Sequence, residues 1–144
     1  MSDKILVDTN ILVYAYDLDA GDKRAKASAV VDRLWDEGAG VLTTQVLAEF
    51  FVTITRKVKQ PLSAADARQI IEDYRVGWTI FTTTPETVLR AIDGVERHQL
   101  SFWDAMIWAA AWLNGVNTIY SEDMQSGQTI EGVRVENPLL STIT

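Results

Sequence analysis

Four acidic side chains sit where an α/β chain can present chemistry. Asp8 closes the apolar run Ile5-Leu6-Val7 and is followed by Thr9 and Asn10. Glu49 lies in "QVLAEF", one turn into a helix-like segment. Asp104 stands in the first turn of the apolar stretch "SFWDAMIWAAAWLNG" (101–115), and Asp123 follows the strand-like "NTIYS" (117–121) by two residues. Ligands of open parallel sheets bind outside the carboxyl ends of the strands. Asp8, Asp104 and Asp123 are therefore expected to converge on one rim, with Glu49 as a fourth candidate. Clustered carboxylates repel one another and are costly to hold together without a cation. Oxygen ligands of this kind suit Mg²⁺ or Mn²⁺. Such an ion polarises a phosphoryl oxygen, lowers the pKa of bound water and aligns an in-line attack.

Each acid also has a purely structural reading. Asp8-Thr9-Asn10 contains the residue types that lead at helix N-caps. Asp104 follows Ser101 by three residues and fits the acidic half of a capping box at a positive helix end. It is, however, the only ionisable group between Phe102 and Leu113, and a nearly all-apolar helix rarely tolerates an unpaired carboxylate. Glu49 points away from the Leu47/Phe50/Phe51/Ile54 stripe at helical spacing, which suits a solvated residue as readily as a ligand. Glu122-Asp123 lies beside Gly127 in a turn-like segment where acids are ordinary.

Composition narrows the classes. The chain has 144 residues, 47% of them hydrophobic, which fits one globular domain with a real core. It has no cysteine, which removes thiol chemistry and thiolate zinc sites, and its one histidine, His98, reads as a helix-end cation. The longest apolar run, Ala105 to Leu113, is too short to span a bilayer. The beginning "MSDKILVDTN" has no basic segment followed by a long apolar one, so a cytoplasmic protein is expected. A net charge of −7 argues against a broad grip on nucleic acid, yet is compatible with carboxylates whose metal ions supply the positive charge.

The elements needed to position the acids alternate along the chain. Strands are expected at 4–8, 39–44, 78–83, 117–121 and 133–137. Helices are expected at 10–17, 22–37 (stopping at Gly38), 45–58, after Ser63, at 84–99 with Thr84 as N-cap and Pro85 at the first position, and at 101–115. This alternation predicts an α/β domain with a mostly parallel sheet covered by helices. Trp103, Trp108 and Trp112 crowd the last helix at near-helical spacing and read as core, or else as dimer surface, rather than as base-stacking platforms.

The motifs "ILVDTNILVYAYD", "QVLAEF", "LSFWDAMIWAAAW" and "IYSEDM", in that order, resemble the PIN domain. In detail they resemble the VapC-type toxins of bacterial toxin–antitoxin pairs. The resemblance covers essentially the whole chain and implies one domain over residues 1–144, a three-layer sandwich with a mostly parallel sheet flanked by helices. It implies Mg²⁺- or Mn²⁺-dependent hydrolysis of RNA phosphodiesters, a cognate antitoxin and a homodimer. Residue by residue, it implies that Asp8, Glu49, Asp104 and Asp123 are the catalytic and metal-binding acids. Glu122 is expected to share or replace the role of Asp123, Asn10 to orient the site, and Thr9 and Ser101 to support it.

RNA would then be steered by local positive charge, for which Arg56, Lys57 and Lys59 are the candidates and helix capping the alternative. The cluster Lys23, Arg24 and Lys26 reads more simply as the polar face of an amphipathic helix. Rival enzymes fit less well. A haloacid-dehalogenase phosphatase needs a second Asp where Asn10 stands, and a response-regulator receiver needs a late Lys, but none follows Lys59. A DNA-directed nuclease and a non-catalytic RNA-binding or protein-interaction module remain as alternatives.

Overall fold

The computed structural model describes residues 3–140. Its centre is a six-stranded sheet in the order β3-β2-β1-β4-β6-β5. The strands are β1 (Ile5–Val7), β2 (Gly40–Thr43), β3 (Thr79–Phe81), β4 (Thr118–Tyr120), β5 (Thr129–Ile130) and β6 (Val133–Glu136). All pairings are parallel except β5 with β6. From β1 the chain adds β2 and β3 on one side and then crosses over to add β4 on the other, so β1 and β4 lie side by side at the switch point where α/β ligands gather.

The helices are α1 (Thr9–Tyr16), α2 (Asp22–Glu37), α3 (Thr44–Arg56), α4 (Ala64–Gly77), α5 (Pro85–His98) and α6 (Phe102–Leu113). Each start carries its local cause. Asp8, Thr43, Ser63, Thr84 and Ser101 accept backbone N–H bonds at the N-caps of α1, α3, α4, α5 and α6. At α5 the box is closed by Thr87, with Pro85 at the first turn. Gly38 ends α2 in the left-handed conformation, at φ 65°. The expected alternation is therefore observed, with ends shifted by at most two residues. The short antiparallel β5 is an addition. Two residues carry too little pattern to read, and the strand is held from outside by the Trp108 indole N–H donating to the Ile130 carbonyl at 3.0 Å.

The core corrects the reading of the tryptophans. Only Trp108 is fully buried. It packs so closely on α5 that a Cβ at Gly94 would stand 3.0 Å from its ring. Trp112 is partly exposed and stacks on the Arg90 guanidinium, 3.9 Å from the ring centroid. Trp103 is exposed. At about 100° per residue, Trp108 lies about 140° round the helix from Trp103 and Trp112 about 40° further on, so the three side chains fan out rather than share one face. No described helix is long and apolar enough to cross a membrane.

Candidate metal centre

Asp8 follows β1 directly, and its backbone N–H still bonds to Tyr120 of β4. It then caps α1, accepting the Thr9 N–H at 2.7 Å. The capping reading is thus correct as local structure, but it uses only one carboxylate oxygen. The other, Oδ2, accepts from the buried Ser121 hydroxyl at 2.8 Å and, weakly, from Asn10 Nδ2 at 3.5 Å. Asn10 Oδ1 in turn accepts the Glu122 N–H at 3.0 Å, tying α1 to the loop after β4.

Glu49 projects from α3 into the same space. The Thr9 hydroxyl donates to it at 2.8 Å, and Gln45 approaches both its oxygens at 3.5 Å. Asp104 enters from the first turn of α6, where the Ser101 hydroxyl accepts its backbone N–H at 3.3 Å. Asp123 arrives on the loop after β4, its N–H donating to Ser121 Oγ at 3.2 Å. Asp8, Glu49, Asp104 and Asp123 all border one cavity of about 730 Å³, with Thr9 and Asn10. The structure therefore brings together acids separated by more than a hundred residues of chain.

The electrostatics record their proximity. Burial pushes the Asp8 carboxyl up to about 6, and the charges of Asp104 and Glu49 add to it, against the bonds from Ser121 and Thr9. Burial also raises Asp104, with Asp123 and Glu49 contributing, against the Ser101 hydroxyl. A bound cation relieves both costs. The donor set is all oxygen, which fits a hard divalent ion. Among the described residues, no three acids stand close enough to ligate one ion together. That spacing fits an ion that takes one or two carboxylates directly and keeps water on its other positions, as Mg²⁺ does.

Other residues fall elsewhere. Glu122 does not line the cavity. It is paired with Lys23 at 2.7 Å and accepts the Tyr14 hydroxyl, which accounts for the cation that α2 presents there. Of the basic candidates, Lys57 borders the cavity, Arg56 is exposed beside it, and Lys59 pairs with Asp19 at 3.5 Å. His98 ends α5 away from the acids, bonded to Glu131 at 2.7 Å. Sequence reasoning passed over Ser121 and Gln45. The signal for Ser121 was a small polar residue closing an apolar strand beside two acids.

The model of the PIN domain matches residues 5–126. The chain belongs to the PIN-domain family. No curated protein matches it. Among solved structures, this PIN fold is similar to VapC20 of Mycobacterium tuberculosis, described as a sarcin-ricin-loop-cleaving toxin. The two are 23% identical over 85% of this chain and 92% of that one, with a TM-score of 0.65. A toxin–antitoxin complex from Klebsiella pneumoniae matches at 20% identity over 94% and 98% of the two chains, with a TM-score of 0.68. DNA-bound VapBC from Salmonella typhimurium matches at 13% identity over 95% and 99%, with a TM-score of 0.67. Likeness at these identities speaks for the fold of the PIN domain.

Proposed function

We propose that this PIN domain is a metal-dependent endoribonuclease, the toxin of a toxin–antitoxin pair. The observation that carries the reading is the convergence of Asp8, Glu49, Asp104 and Asp123 on one cavity beside the β1–β4 switch point. The fold neighbours include toxins and toxin–antitoxin complexes, which supports a cognate antitoxin as partner. A homodimer in the cytoplasm completes the proposal.

Asp8, Glu49, Asp104 and Asp123 would together hold one or two Mg²⁺ or Mn²⁺ ions. When bound, the metal supplies charge neutralisation at the scissile phosphate and an acidified water. The chain's own residues do the positioning. Ser121 and the Thr9 N–H fix the Asp8 carboxylate from two sides, and the Thr9 hydroxyl fixes Glu49. Asn10 locks the loop that delivers Asp123. Ser101 sets the first turn of α6 and so the approach of Asp104. Lys57 gives the cavity a cationic wall for the flanking phosphates, with Arg56 and Lys59 beyond it. Hydrolysis leaves a 5′-phosphate and a 3′-hydroxyl.

The test is incubation of the purified protein with total bacterial RNA and, separately, with DNA, each with Mn²⁺, with Mg²⁺ and with chelator. Discrete metal-dependent RNA cuts bearing 5′-phosphates support the reading. Cuts confined to DNA, or binding without turnover, replace it with one of the two alternatives.

A further inference from the structure

Trp103 is placed at a cost that packing does not explain. It is 61% exposed, although the residues from Ala105 to Ala111 on the same helix are all buried. Leaving an indole in water forgoes the burial of a large apolar surface. Trp103 precedes Asp104 by one residue and Ile107 by one turn, and all three border the cavity that holds the acids. The ring is also braced. Phe102 meets it edge to face, 5.0 Å between centroids at 71°. Gln45 approaches the Trp103 carbonyl and the Glu49 carboxylate with the same amide nitrogen. The backbone that carries the indole is thereby tied through Gln45 to Glu49.

We propose that Trp103 is a stacking platform for one unpaired nucleobase of the RNA whose backbone the acids engage. The inference rests on the nuclease reading above and deepens it. A nucleotide joins a phosphate to a flat ring, and this cavity sets carboxylates that would hold a phosphate-binding metal beside an exposed indole. Proteins read single-stranded and loop RNA by splaying bases onto aromatic side chains, whereas a base inside a duplex has no face to offer. The substrate is therefore unpaired next to the cut. One base on one ring is worth about a 5- to 150-fold change in affinity.

The experiment uses the metal-loaded protein and an RNA oligonucleotide spanning a site that the wild type cuts. A single abasic position is walked across that oligonucleotide. Trp103→Ala is expected to raise KM within the range above while kcat stays within about twofold, the pattern of lost uniform binding. Trp103→Phe is expected to restore most of the affinity. In the wild type one abasic position carries a penalty, and that penalty disappears in Trp103→Ala. An unchanged KM with the abasic penalty retained overturns the inference and leaves the nuclease standing. An unchanged KM with altered sedimentation assigns Trp103 to a protein contact and also overturns it. Failure of the wild type to cut any RNA overturns the inference together with the reading beneath it.

Discussion

The Ser121 hydroxyl donates to Oδ2 of Asp8 at 2.8 Å, joining residues 113 positions apart. Ser121 Oγ in turn accepts the N–H groups of Asp123 and Met124, each at 3.2 Å. One buried hydroxyl therefore aims the first acid and folds the loop that carries the fourth. Ser121→Ala strands these partners in a buried place and is expected to cost about 1–3 kcal/mol in thermal or urea unfolding. Because the bond also restrains the Asp8 carboxyl, its loss raises that group further. The pH at which Mn²⁺ binding is half lost is expected to move upward in the variant. An unmoved midpoint contradicts the assigned role.

Asp8 itself destabilises the metal-free protein. Folding raises its carboxyl from 3.8 to about 6, so between these values the folded state binds the more protons and stability falls as pH rises. The cost is absent below the lower value and complete above the upper one. A shift of this size corresponds to about 3 kcal/mol. Asp8→Asn keeps the shape but loses an acceptor, which offsets part of the gain. In chelator at pH 7.5 the variant is expected to be about 1–3 kcal/mol more stable than wild type. The difference shrinks toward pH 4. Melting curves across this range decide it, and added Mn²⁺ should stabilise only the wild type.

Thr9 acts through Glu49. Replacing its hydroxyl by a methyl in Thr9→Val leaves the helix start intact but frees the carboxylate that the hydroxyl holds at 2.8 Å. Loss of such an orienting bond typically lowers metal affinity about 10- to 100-fold. A titration of cleavage rate against Mn²⁺ is expected to shift by that amount, with the saturated rate much less affected.

How much of this was legible beforehand differs by residue. Asp8 and Asp104 were readable because each terminates or interrupts an apolar run, where a charge needs a reason. Helix starts were readable from Ser63, Thr84 and Ser101, since capping is local chemistry. Glu49 was ambiguous, because helical spacing gives its angle on α3 but not what α1 and α6 place opposite. Trp103 differs from the core reading for a related reason: clustering with Trp108 and Trp112 on one apolar helix suggests packing, yet only the tertiary arrangement decides which part of α6 is covered. Strand β5 and the Ser121 network depend on contacts between distant segments, and no local signal encodes them.

The basic candidates separate by geometry. Lys57 borders the acid cavity, whereas Lys59 is paired with Asp19 and highly exposed. Lys57→Glu is expected to weaken RNA binding and to lower the salt dependence by about one counterion, while Lys59→Glu leaves both nearly unchanged. Fluorescence anisotropy across a salt series gives both quantities. Equal effects of the two substitutions would contradict the placement.

The central claim is that these carboxylates hold the ion that cuts the phosphodiester. Its most direct test compares wild type with Asp104→Asn, measuring Mn²⁺ binding by calorimetry and RNA cleavage in the same preparations. The account predicts that the variant folds normally, binds Mn²⁺ weakly and loses cleavage, as expected when a metal ligand is removed. Cleavage retained in Asp104→Asn, or a wild-type rate unaffected by chelator, would contradict it.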